Sequence, residues 1–114
     1  MFGKNISSVE IRKAGYDEYY FVFRLPNGGI FLSEFFKDIV EAIATAENFQ
    51  RNSTRDNNYL RKSNPSDQYH FIFKTQKSCL IGQSSMYKNR PAMETGIQYI
   101  KKHLLETEIV DMTT

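Results

Sequence analysis

One stretch of this chain is written twice. Displaced by fifty residues, Asp17-Glu18-Tyr19-Tyr20-Phe21-Val22-Phe23-Arg24 falls on Asp67-Gln68-Tyr69-His70-Phe71-Ile72-Phe73-Lys74. The Asp, one Tyr and both Phe are identical, while Val/Ile and Arg/Lys keep their chemistry. With one further residue of displacement the match runs on: Ile30 meets Ile81, Ser33 meets Ser84, Phe35-Phe36 meets Met86-Tyr87 and Lys37 meets Lys88. Asp38 then meets Asn89, and Ala42, Ala46 and Phe49 meet Met93, Ile97 and Ile100. A repeat of this length sets the architecture before any motif is considered. The extra residue is expected in a turn, between Leu25-Pro26-Asn27-Gly28-Gly29 and Thr75-Gln76-Lys77-Ser78-Cys79, where insertions cost least.

Each copy has the same elements in the same order. Tyr19, Phe21, Phe23 and Leu25 alternate with Tyr20, Val22 and Arg24, the period of a half-buried strand. Pro26-Asn27-Gly28-Gly29 supplies a turn into Ile30-Phe31-Leu32. Asp38 is a helix N-cap with Glu41 three residues on. Ile39, Ala42/Ile43, Ala46 and Phe49 form one apolar stripe. In the second copy Asn89 is the cap, Pro91 sits in the first turn, and the stripe is Met93, Ile97, Ile100 and Leu104. Val9–Arg12 precedes the first hairpin, Tyr59–Lys62 the second, and Glu108–Asp111 closes the chain. The predicted fold is α+β: two tandem β3-α repeats plus a C-terminal strand, with one antiparallel sheet packed against two helices in two layers. Residues 1–114 read as a single domain, with repeats at 9–52 and 59–104 and a closing strand at 107–112.

The second copy also resembles a known family. Tyr69–Lys74, Ile81-Gly82-Gln83-Ser84-Ser85-Met86-Tyr87 and Glu94-Thr95-Gly96-Ile97-Gln98-Tyr99-Ile100-Lys101-Lys102 are similar to the YegP-like family, small bacterial and archaeal proteins with a domain of unknown function, often in tandem. The closing Val110-Asp111-Met112-Thr113 is similar too. The likeness spans Val9 to Thr113 and is weaker in the first copy, where Ala44-Thr45-Ala46 replaces the Gly-Ile of the helix interior. It implies a duplicated β3-α unit with merged strands, and no known activity, cofactor or ligand.

Composition narrows the functional classes. A single Cys79 excludes an intramolecular disulfide and a cysteine-built zinc site. A formal charge of +2 from 15 Lys+Arg and 13 Asp+Glu does not by itself call for a polyanion. Met1–Ser8 holds no secretion core, and no stretch is long enough to span a bilayer. Asn5-Ile6-Ser7 and Asn52-Ser53-Thr54 are read as chance glycosylation triplets. The expected location is the cytoplasm, without a membrane partner.

No catalytic, cofactor or metal residues are expected. Asn27-Gly28-Gly29 joins two strands and fits neither phosphate-loop pattern. His70 and His103 lack metal-pair spacing, and His103 is placed to complement a helix end. Cys79 is expected to be an inert filler, and Gly96 to allow close approach of helix to sheet. The informative surface is the sheet face turned from the helices. Tyr19, Phe21, Phe23, Tyr69, Phe71 and Phe73 meet the helix stripes, each ring contributing ~1.5–3 kcal/mol. Tyr20, Val22, Arg24, His70, Ile72 and Lys74 then face the other way. Tyr20, Arg24, His70 and Lys74 are the candidate interaction residues of a non-catalytic binding or assembly module, acting through the open face or an edge on a second copy or a protein partner. The alternative is a weak single-stranded nucleic-acid binder assisted by Arg61, Lys62, Lys101 and Lys102. Against it stand the low charge and the lack of Gly spacing in Phe71-Ile72-Phe73. An enzyme with an unrecognised pocket is third.

Overall fold

The computed structural model describes residues 8–75, 77 and 79–113. Seven strands form one sheet: β1 (Ser8–Gly15), β2 (Glu18–Arg24), β3 (Ile30–Ser33), β4 (Tyr59–Ser63), β5 (Tyr69–Lys74), β6 (Leu80–Ser84) and β7 (Glu108–Asp111). Helices α1 (Ile39–Asn52) and α2 (Arg90–His103) follow β3 and β6. Asp38 Oδ1 accepts from Glu41 N at 2.8 Å, and Asn89 Oδ1 from Ala92 N at 2.8 Å, so both helices begin at the predicted caps. The secretion and glycosylation readings of Met1–Ser7 lie outside the described residues.

The strand order is β4-β5-β6-β3-β2-β1-β7. The first five neighbouring pairs are antiparallel, and β7 joins β1 in parallel, making the sheet mixed. The parallel pair follows from topology. The chain crosses back from α2 over the sheet before laying down β7, and such crossovers produce parallel neighbours.

The two units meet at the centre, where β3 pairs with β6: Phe31↔Ser84, Leu32↔Gln83 and Ser33↔Gly82. Equivalent residues therefore exchange partners about a local two-fold through Leu32 and Gln83. Hydrogen bonds repeat accordingly. Ser33 Oγ accepts from Phe21 N (2.8 Å) and donates to Glu34 O (2.7 Å); Ser84 Oγ accepts from Phe71 N (3.0 Å) and donates to Ser85 O (2.9 Å). Tyr19 and Phe36 exchange backbone hydrogen bonds, as do Tyr69 and Tyr87. Asp17 and Asp67 share a positive φ, at 56° and 58°.

The extra residue of the second unit is not in the turn. Leu25 N donates to Gly29 O and Thr75 N to Cys79 O, so the turns have equal length. Arg24 pairs with Ile30 and Lys74 with Leu80, but Phe73 then pairs with Gly82, leaving Ile81 as a bulge in β6. A bulge turns one extra side chain out of the strand's alternation. Here it sends Ile81 into the core, where it is 2% exposed.

Both helices pack on one face over Phe21, Phe23, Phe31, Phe71 and Phe73, all fully buried with Phe49 of α1. Phe31 lies nearest the local axis and contacts four rings, Phe49 at 4.4 Å, Phe71 at 6.1 Å, and Phe21 and Phe73 at 6.5 Å between centroids. Its counterpart is Gly82. A Cβ there would stand 2.9 Å from the Phe31 ring and 2.7 Å from Ser33 Cα. Two rings related by the axis would compete for one space, so one unit supplies the ring and the other supplies none.

Candidate functional site

The helix-free face is ordered by pairing. Leu60 opposes Ile72, Ile72 opposes Gln83, Gln83 opposes Leu32, Leu32 opposes Val22, Val22 opposes Glu10, and Glu10 opposes Val110. Paired residues point to the same side, so these seven side chains form one row across all seven strands. Leu60 is 37% and Leu32 36% exposed, while Val22 sinks to 5% between its neighbours. The row is apolar except at Gln83 and Glu10.

Tyr20, Arg24, His70 and Lys74 flank this row. Arg24 is exposed and the other three are half-buried. Tyr20 packs edge-on against Phe35, 5.7 Å between centroids, and Phe35 is 59% exposed. Arg24 Nη2 reaches Glu10 Oε1 at 3.6 Å, and Arg12 binds the same oxygen through Nη2 at 2.8 Å. His70 Nδ1 is buried without a hydrogen-bond partner. Charge divides the face. Glu10, Glu18 and Glu108 lie with Arg12 and Arg24 on the β2-β1-β7 side, whereas β4 and β5 present Lys62 and Lys74 without a carboxylate. Leu32, Gln83, Leu60, Glu10 and Val110 had no separate signal in the sequence, because strand order cannot be read from local alternation.

Two of the four supporting cations are committed elsewhere. Arg61 lies on the helix side of β4, with Nε 2.5 Å from Glu94 Oε2 and Nη2 2.9 Å from Asp56 Oδ1. Lys101 Nζ is 2.5 Å from the same Asp56 oxygen and 5.6 Å from the Tyr59 ring centroid. Hydrogen bonds from Arg61 and then Lys101 hold the Asp56 carboxyl at about 2. Hydrogen bonds to Glu94 and then Asp56 raise the Arg61 guanidinium further. Tyr59 is raised chiefly by burial, and its hydroxyl donates to Ser53 O at 2.6 Å. The even period of a strand places Arg61 with Tyr59, on the face opposite Lys62, which the bare charge count could not show.

Two hollows lie where the hairpin turn of one unit approaches the helix of the other. Gly29, Met86, Tyr87, Asn89, Thr95 and Gly96 line one of about 400 Å³. The Tyr87 hydroxyl is buried without a partner, and a Cβ on Gly96 would stand 2.5 Å from it. Gly96 thus makes room for a phenol as well as for the approach of Leu25. Burial alone raises the Tyr87 phenol, so it remains protonated near neutrality and offers no base. The corresponding hollow, about 540 Å³, contains Phe36, Thr45 and Cys79. Cys79 is exposed rather than a buried filler, because the turn carrying it lies at the surface. Among the described residues no three His, Cys, Asp or Glu gather as metal ligands, and no helix is long and apolar enough to cross a membrane.

A two-layer α+β chain with a doubled β3-α unit is therefore the class that fold and surface define. A family model described as a domain of unknown function (DUF1508) matches residues 65–111. The UPF0339 protein YegP of Yersinia pestis is 33% identical over 108 residues, covering 91% of this chain and 94% of that one. The chain belongs to this UPF0339 (YegP) family. The solution structure of a UPF0339 protein from Shewanella oneidensis superposes with a TM-score of 0.85 at 28% identity, covering 94% of this chain and 92% of that one. That of yegP from E. coli gives 0.84 at 25% identity, with 97% of each chain covered. These relatives carry no stated activity.

Proposed function

We propose that this chain is a non-catalytic assembly module whose helix-free sheet face packs against the same face of a second copy. The row Leu60–Ile72–Gln83–Leu32–Val22–Glu10–Val110, apolar at five of its seven positions, carries this reading, since apolar side chains along one sheet face are what face-to-face sheet packing uses. A two-fold axis along the strands would lay β4-β5 of one copy over β1-β7 of its partner. The register would then set Lys62 over Glu108 of the partner, and Lys74 beside the partner's Arg12–Glu10 pair. The central β3–β6 pairing supports one domain acting as a unit. A non-catalytic role is supported by the perturbed groups: Asp56, Arg61, Tyr59, Tyr87 and Asp111 are each explained by an ion pair, by burial or, for Asp111, by hydrogen bonds from Thr113. The exposed thiol of Cys79 suits a reducing compartment, and on that ground we place the protein in the cytoplasm.

Light scattering over a range of protein concentrations tests the reading. The mass should rise toward two chains, and Leu32→Asp, at the centre of the row, should hold it at one. A single-chain mass at every concentration overturns the proposal, as does a dimer indifferent to Leu32→Asp. The exposed Phe35, packed edge-on against half-buried Tyr20 beside Arg24, favours single-stranded nucleic acid as a second reading. Filter binding of an oligonucleotide should then weaken steeply with salt; no retention at low salt dismisses it.

A further inference from the structure

The outer strands β1 and β4 occupy equivalent places. Val9 pairs with Phe23 and Ile11 with Phe21, while Tyr59 pairs with Phe73 and Arg61 with Phe71. Val9, Glu10 and Ile11 thus correspond to Tyr59, Leu60 and Arg61. Beyond this register the two differ. Along β1 runs β7, parallel, with Ser8↔Glu108, Val9↔Ile109, Glu10↔Val110 and Ile11↔Asp111. Along β4 the sheet ends among the described residues.

The core beneath each outer strand is closed by different means. Under β1, Ile109 packs on the core, and Gln50 of α1 donates to Leu104 O (3.2 Å) and Thr107 O (2.5 Å) at the entry to β7. Under β4 the residue equivalent to Gln50 is Lys101, and it joins Asp56, Arg61 and Glu94 in an ion-pair group that seals the flank. The second unit is therefore closed without a strand on its edge, and a strand there can come and go.

We propose that the β4 edge receives an extended acidic segment of another polypeptide, running parallel to β4 as β7 runs parallel to β1. Main-chain pairing would supply the affinity and alternate side chains the selectivity. The local register assigns that segment an apolar residue beside Tyr59, a second beside Leu60, and a carboxylate beside Arg61. A further acceptor would fall beside Asn58, the counterpart of Ser8. Asn58 is 5% exposed and its Nδ2 has no hydrogen-bond partner, an unmet donor that an added strand can satisfy. Asn58 lines a hollow of about 570 Å³ with Arg55, Leu60 and Lys74. Charge points the same way. Arg55, Arg61, Lys62, Lys74 and Lys101 outnumber Asp56 and Glu94, whose charges Arg61 and Lys101 already meet. Antiparallel pairing of β4 with a second β4 over its full length would set Arg61 directly opposite its copy, so self-pairing at this edge is disfavoured.

The probe is a peptide of this chain's own residues 106–114, Glu-Thr-Glu-Ile-Val-Asp-Met-Thr-Thr, which has the required apolar pair flanked by carboxylates. Titrated into the intact isotope-labelled protein, it should shift the backbone amides of Tyr59–Ser63 and the Asn58 side-chain amide. Leu60→Lys should weaken it about tenfold or more, and Lys62→Glu, on an exposed position outside the core, should weaken it too. Alternate N-methylation of the peptide should abolish the effect. No shift at millimolar peptide overturns the proposal. So do shifts confined to β1 and β7, or equal binding by the N-methylated peptide. A dimer through the open face would leave each of these outcomes readable, since β4 pairing is followed by its own amides.

Discussion

Tyr87 and Phe36 hold the same place in the two units, and only one brings a hydroxyl. Around Tyr87 the neighbours are Gly29 and Gly96; around Phe36 the equivalent positions are Cys79 and Thr45. Without the hydroxyl, the helix position has room for a Cβ. The same contrast recurs at the local axis, where Phe31 faces the empty side of Gly82. The outer strands show it a third time, one covered by β7 and the other flanked by ion pairs. Symmetry is kept where hydrogen bonds carry the fold, at Ser33/Ser84 and at the two caps. It is broken where two equal side chains would collide and at the two outer strands, of which only β1 carries a described neighbour.

The largest test of this contrast is at the axis. Phe31→Ala should cost about 3–5 kcal/mol by urea unfolding, because four buried rings lose a common neighbour. Gly82→Ala should cost about 1–3 kcal/mol, since its methyl meets the backbone at Ser33 Cα. A loss below about 1 kcal/mol for Phe31→Ala would mean the ring is not filling a space shared by both units.

The Tyr87 hollow gives a smaller effect with a change of sign. Gly96→Ala improves helix propensity by about 0.8–1 kcal/mol. In this protein it should nevertheless destabilise by about 1–2 kcal/mol, because the new methyl meets the phenol oxygen at 2.5 Å. In a Tyr87→Phe background, which imitates Phe36 and Thr45 of the first unit, the same change should become favourable. Additive effects in that double-mutant cycle would refute the pairing. Tyr87→Phe alone should stabilise by about 1 kcal/mol, since it removes a buried hydroxyl without a partner. If it destabilised instead, the hydroxyl would have an interaction worth keeping.

Much of this was readable in one dimension. The period-two runs at Tyr19–Leu25 and Tyr69–Lys74, the caps Asp38 and Asn89, and both helix stripes are local signals that tertiary packing reinforced. The site was readable only in part. Tyr20, Arg24, His70 and Lys74 follow from alternation, but the row they border depends on β3 meeting β6, a pairing between residues about fifty apart in sequence. A one-residue slip looks identical in the turn and in the strand, so the sequence points to the turn for the extra residue that pairing places at Ile81. Arg61 and Lys101, which the sequence offers as helpers of a nucleic-acid face, are paired with Asp56 and Glu94, and a charge total carries no information about which face holds its counter-ions. The parallel placement of β7 likewise depends on where the chain crosses after α2, and no composition or period encodes that route.

The smallest effect concerns the two outer strands. If β4 is sealed by charge and β1 by a strand, acid should loosen the second flank first. Asp56 has an ordinary carboxyl value of 3.8 when unfolded and about 2 in the fold, depressed by hydrogen bonds from Arg61 and Lys101. A depressed carboxyl stabilises the fold above its unfolded value, and that contribution fades as pH falls from 3.8 toward about 2. Because the Asp56 side chain is 57% exposed, solvent screens the pairs and the loss should stay below about 1 kcal/mol. Asp56→Asn should lower stability at neutral pH by a similar small amount and flatten the decline between pH 3.8 and about 2. Hydrogen exchange locates the loss: amides of β4 should lose protection in this interval before those of β1, which β7 covers. Equal loss at both strands would show that the ion pairs do not seal the edge, and the difference between the two flanks would then be one of topology alone.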